Sequence, residues 1–106
     1  MKQLSENAIK LLAFLKKGAA WEAQCIEHFF PKPEYSRDPE AQKAHWQWSV
    51  NLYGCDHERP VGDKMVMFKA TADYSLIVHE AYQELKKAGL ADEKNNGYNE
   101  YSFYAK

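Results

Sequence analysis

No apolar run in this chain approaches the length of a membrane-spanning helix, and the opening residues, Met1 to Glu6, contain no apolar signal core. There are only two cysteines, Cys25 and Cys55. Without a signal core they read as reduced thiols of a cytoplasmic protein. The sequence also lacks a glycine-rich phosphate loop, a nucleophile elbow and a paired-carboxylate motif. His57 between Asp56 and Glu58 is the one triplet that resembles a proton relay, and such triplets are ordinary in exposed loops. The reading is therefore of a protein that is not an enzyme and carries no cofactor. Excess charge of either sign is missing too: 14 basic against 15 acidic residues leave a net charge of −1. A free-standing nucleic-acid binder is usually basic, because neutralising phosphates drives its affinity. Any basic surface here must be local. No repeat, low-complexity segment or inter-domain linker is visible.

What is present suits a single folded domain. In 106 residues, 45% are hydrophobic and 14% aromatic, enough to build a core. Ser5 is a good N-cap, Leu4 and Ile9 are placed as a hydrophobic staple, and Ala8, Leu11, Leu12 and Leu15 recur at helical spacing. Lys16 and Lys17 suit the negative end of that helix, and Gly18 suits its stop. Trp21, Cys25 and Phe29, with Ile26 and Phe30, predict a second helix running to Pro31. Asp38-Pro39 caps a third, with Ala41, Ala44, Trp48 and Leu52 on one face and Gly54 at its end.

Residues 55 to 64 form the longest polar stretch and read as an exposed loop, and residues 65 to 70 as a short strand. A fourth helix, capped by Thr71 or Asp73, carries Tyr74, Ile77, Val78, Ala81, Leu85 and Ala88 on its apolar face. Gly89 sits where a left-handed stop belongs, with Leu90 folding back on Leu85. Asn96-Gly97 is a favoured hairpin turn, so 90–95 should pair with 98–105, turning Tyr101, Phe103 and Ala105 inward.

The closing stretch, with "EAYQELKKAGLADE" and Asn96-Gly97, resembles the recognition helix and wing of the winged helix-turn-helix superfamily over residues 74–105. The resemblance implies an α+β, winged-helix-like fold with three to four helices and a C-terminal β-hairpin wing. One such domain would fill residues 1–106, with a long insertion at about 31–70 where a typical member has a compact turn. It further implies a small DNA-binding regulator of bacterial, phage or plasmid type. A homodimer is expected, because one small module buries little DNA.

On the fourth helix, Ser75, Leu76, His79, Gln83 and Lys86 lie opposite the apolar stripe. Ser, His and Gln can bond base edges and Lys86 can meet phosphate. Lys69 and Thr71 precede the helix where phosphates are often held, and Lys94, Asn95 and Asn96 form the wing tip. Glu80 and Glu84 flank the same face and oppose a phosphate backbone. The alternative is a winged-helix-like module that binds another protein through exposed aromatics and never touches DNA. Trp46 and Trp48 lie about 160° apart on one helix, so both cannot enter the same core. Cys25, His28, Cys55 and His57 supply a tetrahedral zinc set by type. Cys25 falls on the apolar stripe, however, as a buried free thiol does, and no metal is assigned.

Overall fold

The computed structural model describes residues 3–98 and 100–106. It is an α+β protein with four helices and two small antiparallel sheets. The chain divides into two compact units: Met1–Phe29 with Leu76–Lys106, and Phe30–Ser75.

In the first unit, α1 (Glu6–Leu15) starts where Ser5 leaves the helical region, and the Ser5 hydroxyl accepts the Ala8 N–H at 3.2 Å. Ala8, Leu11 and Leu15 are its buried stripe. Ile9, the other half of the expected staple, is exposed. β1 (Ala20–Trp21) leads directly into α2 (Glu22–Phe29). This corrects the reading of Trp21 as a helical core residue: it lies on a strand and is 53% exposed. A two-residue strand leaves no periodic signal, so sequence spacing attached Trp21 to the helix that follows.

α4 (Tyr74–Lys87) starts at the end of the second unit and runs through the first. Val78, Ala81, Tyr82 and Leu85 are buried, whereas Ala88 is exposed. Gly89 adopts φ 74°, the Leu90 N–H reaches the Leu85 carbonyl at 2.9 Å and the Gly89 N–H reaches Lys86 at 3.1 Å. Those two bonds make the expected left-handed stop. It turns the chain into β4 (Ala91–Gly97), which pairs with β5 (Glu100–Ala105).

The hairpin turn differs from expectation. β4 continues through Asn96 and Gly97, with a register shift between Asn95 and Gly97, and β5 begins only at Glu100. Asn99 lies outside the described residues. The shift, with the Asn96 amide donating to the Ser102 hydroxyl at 2.5 Å, accompanies a buried Ser102 and leaves Tyr101 exposed, where Tyr101 was expected inside. Phe103 is buried as expected. β1 completes the sheet in the order β1-β5-β4, setting Ala20 opposite Phe103. The Tyr82 ring stacks on Phe103 with centroids 4.0 Å apart, joining α4 to the sheet.

In the second unit, α3 (Pro39–Tyr53) is capped by Asp38, whose carboxylate accepts the Ala41 N–H at 3.2 Å, and Gly54 closes it at φ 67°. Residues 55 to 64 are not a loop. β2 (His57–Val61) pairs with β3 (Lys64–Phe68) around Gly62, which adopts φ 63°. The signal was present in Val61-Gly62-Asp63-Lys64, a turn dipeptide between short strands. Charged side chains on β2 masked it.

α3 grips this hairpin with polar groups: Trp46 Nε1 donates to the Pro60 carbonyl at 2.9 Å, and the Gln42 side chain accepts the Gly62 N–H at 2.9 Å. The buried residues of α3 are accordingly Gln42, Trp48, Val50 and Asn51; of the expected Ala41, Ala44, Trp48 and Leu52 only Trp48 is buried. A hydrophobicity pattern cannot find a face whose buried members include an amide at each end. Trp48 is 8% exposed and donates to the Phe30 carbonyl at 2.7 Å, while the rings of Phe30 and Tyr74 stack at 3.8 Å. The two tryptophans do face different ways. Trp46 lies against the hairpin, with the Arg59 guanidinium 5.2 Å from its ring centre.

Candidate nucleic-acid interface

Along the first unit, α4 presents His79, Glu80, Gln83, Glu84 and Lys87 around a shallow open groove. His79 and Lys87 are exposed and Gln83 is half-buried. Glu84 does not stand in this groove as a bare charge. The Ser5 N–H and the Ser5 hydroxyl each donate to its carboxylate at 2.7 Å, fastening the start of α1 to α4. These neutral donors fix the carboxylate in place but leave its negative charge, so it still opposes phosphate. Glu80 remains exposed on the same side.

Lys86 is placed differently from its expected role. Its ammonium bonds Glu93 on β4 at 2.9 Å and lies 5.9 Å from the Tyr82 ring centre. The hydrogen bond to Glu93 raises its pKa above the usual lysine value. A phosphate must compete with that carboxylate for Lys86, although an exposed pair of this kind is worth little.

On β4, Lys94 is exposed. Asn95 and Asn96 shape the strand end, Asn95 accepting the Gly97 N–H at 2.8 Å and Asn96 donating to Ser102. Tyr98 is wholly exposed at 101% beside them.

Lys69, Thr71 and Ser75 belong to the second unit. Lys69 is exposed, and its carbonyl accepts the Gln47 amide at 2.9 Å. The Thr71 N–H and hydroxyl donate to the Asn51 side chain at 2.9 and 3.3 Å. The Ser75 hydroxyl donates to the Leu52 carbonyl at 3.4 Å. These hydroxyls serve the fold, so His79 and Gln83 are the candidate base-reading side chains whose polar ends lie beside open solvent. Lys87 was missed by the sequence reading. It was taken only as the dipole-compensating end of α4, although its place one turn after Gln83 put it on the same stripe.

The charge is balanced within this unit, where eight lysines accompany eight carboxylates. Cys25 and His28 belong to the first unit and Cys55 and His57 to the second. Among the described residues no group of three histidine, cysteine or acidic side chains gathers as a metal site. Asp56, beside His57, is used structurally and accepts the Ala70 N–H at 2.8 Å.

Burial, and then the Glu22 charge, push the Cys25 thiol up to about 11, whereas Cys55 is exposed. Because the thiolate is the reactive form, one thiol per native chain should react quickly with a thiol reagent at pH 8. Cys25 should react only on unfolding. Cys55→Ser should abolish the fast phase, and a fast phase persisting in that variant would contradict the assignment. Among the described residues no helix is long and apolar enough to cross a membrane. No family model, curated protein or solved structure matches this chain.

Proposed function

We propose that the first unit is a winged-helix DNA-binding module and that the protein is a small regulator acting through it. The observation that carries the reading is the sheet order β1-β5-β4. A helix-glycine-hairpin alone is a generic motif. Here the hairpin after α4 is anchored by a third strand drawn from between α1 and α2, which supports a wing held rigidly beside a recognition helix. The unit Phe30–Ser75 interrupts the chain between α2 and α4, where the superfamily has a compact turn.

In this reading α4 enters the major groove with His79 and Gln83 toward base edges, and Lys87 and Lys94 meet phosphates. Lys86 joins them by exchanging Glu93 for a phosphate. A homodimer presenting two α4 helices to half-sites about one helical turn apart supplies the affinity that one small neutral module lacks.

The test separates reading from holding. His79→Ala with Gln83→Ala should weaken binding to the cognate sequence by about 1–3 kcal/mol per lost base contact and leave random duplex almost unaffected. Lys94→Ala should weaken all sequences alike and lower the salt slope by about one. Equal losses on cognate and random DNA from the double variant would remove the reading role of α4.

The charge balance and the Lys86–Glu93 pair favour a second reading, in which the module binds protein and not DNA. Exposed Trp21, Tyr98 and Tyr101 are aromatic anchors available to it in the first unit.

A further inference from the structure

A second charged surface of the first unit is built on α1 and α2 and uses none of the α4 side chains assigned above. Lys10, Phe14 and Lys17 are spaced four and three residues apart and fall on one stripe of α1 and the turn that follows, where the Lys17 N–H bonds the Phe14 carbonyl at 3.1 Å. This flank of α1 meets α2. The Phe14 ring stacks on His28 with centroids 4.2 Å apart and planes 15° from parallel. The Lys10 ammonium reaches across to lie 4.9 Å from the Phe29 ring centre. Phe14, Lys17 and Gln24 also border a shallow recess over Gly18, Ala19 and Ala20.

The charges that act on His28 have one sign. His28 has its pKa lowered, first by partial burial and then by the charges of Lys10 and Lys17, and no carboxylate contributes to offset them. Glu27, the acidic neighbour in sequence, is about 100° around α2 from His28. In a unit whose charges balance overall, this flank sets two exposed ammonium groups about an aromatic pair; among the described residues neither is in an ion pair, although Glu6 stands one turn before Lys10 on α1.

We propose that this flank of α1 and α2 docks an acidic amphipathic helix of a partner protein, with two carboxylates one heptad apart meeting Lys10 and Lys17 and an apolar side chain between them resting on Phe14. The spacing selects the occupant. Seven residues of helix rise about 10 Å, so a facing helix with acids at the first and eighth positions matches both lysines at once. Phe14 between them offers apolar area that a sugar-phosphate backbone has no group to fill. The surface is independent of DNA reading by α4 and stands whether or not α4 binds DNA.

The experiment is an anisotropy titration of the intact protein with a labelled helical peptide carrying glutamates one heptad apart and a leucine between them. A scrambled peptide of the same composition, a charge-swapped peptide with lysines for glutamates, and a labelled DNA duplex complete the set. The patterned peptide should bind at least about tenfold tighter than the scrambled one, the equivalent of roughly 1.4 kcal/mol. Lys10→Glu with Lys17→Glu should abolish that preference, and the charge-swapped peptide should regain affinity for this variant. Both lysines are exposed, and Lys10→Gln with Lys17→Gln provides a milder variant, expected to lose the preference without gaining the swapped peptide. Equal binding of the scrambled peptide, undiminished binding by either variant, or no recovery with the swapped peptide would overturn the proposal. So would a double variant that loses duplex binding while keeping the patterned peptide, which would make the flank a DNA contact.

Discussion

Tyr82→Ala is expected to cost about 3–5 kcal/mol, a large share of the ~5–15 kcal/mol that holds a small protein folded. Tyr82 is 1% exposed, and its ring stacks on Phe103 with planes 13° from parallel, so it is a direct contact from α4 to the sheet. Truncation removes a whole aromatic side chain from a site that α4 and β5 fix on opposite sides, leaving a cavity that cannot readily collapse. Tyr82→Phe should be nearly neutral. The hydroxyl is buried with no partner at full hydrogen-bond geometry, although Glu93 lies near enough to add to the effect of burial in raising its pKa. Replacing it removes a poorly satisfied polar group without changing shape. Urea unfolding of the two variants decides the matter. A loss under about 1 kcal/mol for Tyr82→Ala would mean that the β4-β5 hairpin is not packed through this residue.

In the second unit, Asn51→Ala should cost about 2–4 kcal/mol, because several partners lose their bonds together. Asn51 is 5% exposed. Its carbonyl oxygen accepts the Thr71 N–H, the Thr71 hydroxyl and the Gln47 amide, and its own amide donates to the Tyr74 hydroxyl at 3.2 Å. It therefore ties α3 to the segment that leads into α4. Gln47→Ala, which removes one of the same bonds from a less buried residue, should cost distinctly less. Equal losses from the two would argue against Asn51 as the hub. The comparison requires urea midpoints for both variants, with circular dichroism to establish that each begins folded.

Sequence reading found neither residue: Tyr82 was left off the apolar face expected for the fourth helix and Asn51 off that of the third, yet both are buried. The stop of α4 was legible because Gly89 and Leu90 satisfy a local rule, a left-handed residue followed by an apolar contact back to Leu85. The caps Ser5 and Asp38 and the end at Gly54 were legible for the same reason. Each depends on backbone groups within one turn.

The missed features depend on distant partners. Ser102 is buried on the central strand and bonded to Asn96 near a register shift in the β4-β5 ladder, and no property of either residue announces that shift. Asn51 and Gln42 are buried polar residues whose partners lie 20 residues away at Thr71 and Gly62, so the buried face of α3 does not read as apolar. The second hairpin was hidden because β2, a short strand of a two-stranded sheet, is mostly polar and exposed and contains Pro60, so it shows no apolar alternation.

The candidate site divides in the same way. The outward stripe of His79 and Gln83 follows from helical spacing alone. The capture of Lys86 by Glu93, and of Glu84 by Ser5, requires α1, α4 and β4 to be placed around one another. The Lys10, Lys17 and His28 flank was hidden for a related reason. Helix-dipole compensation already explained the lysine at the end of α1, and only packing brings α2 beside it.

DNA binding through α4 is the central claim, and a fluorescence anisotropy titration of the intact protein tests it most directly. The protein is titrated against labelled random duplex and the duplex upstream of its own coding sequence, at a low and a near-physiological salt concentration. The account predicts measurable binding to both at low salt, a steep loss of random-duplex binding as salt rises, and upstream binding that survives the rise. Folded protein that binds neither duplex at low salt would contradict the account and leave the protein-binding module in its place.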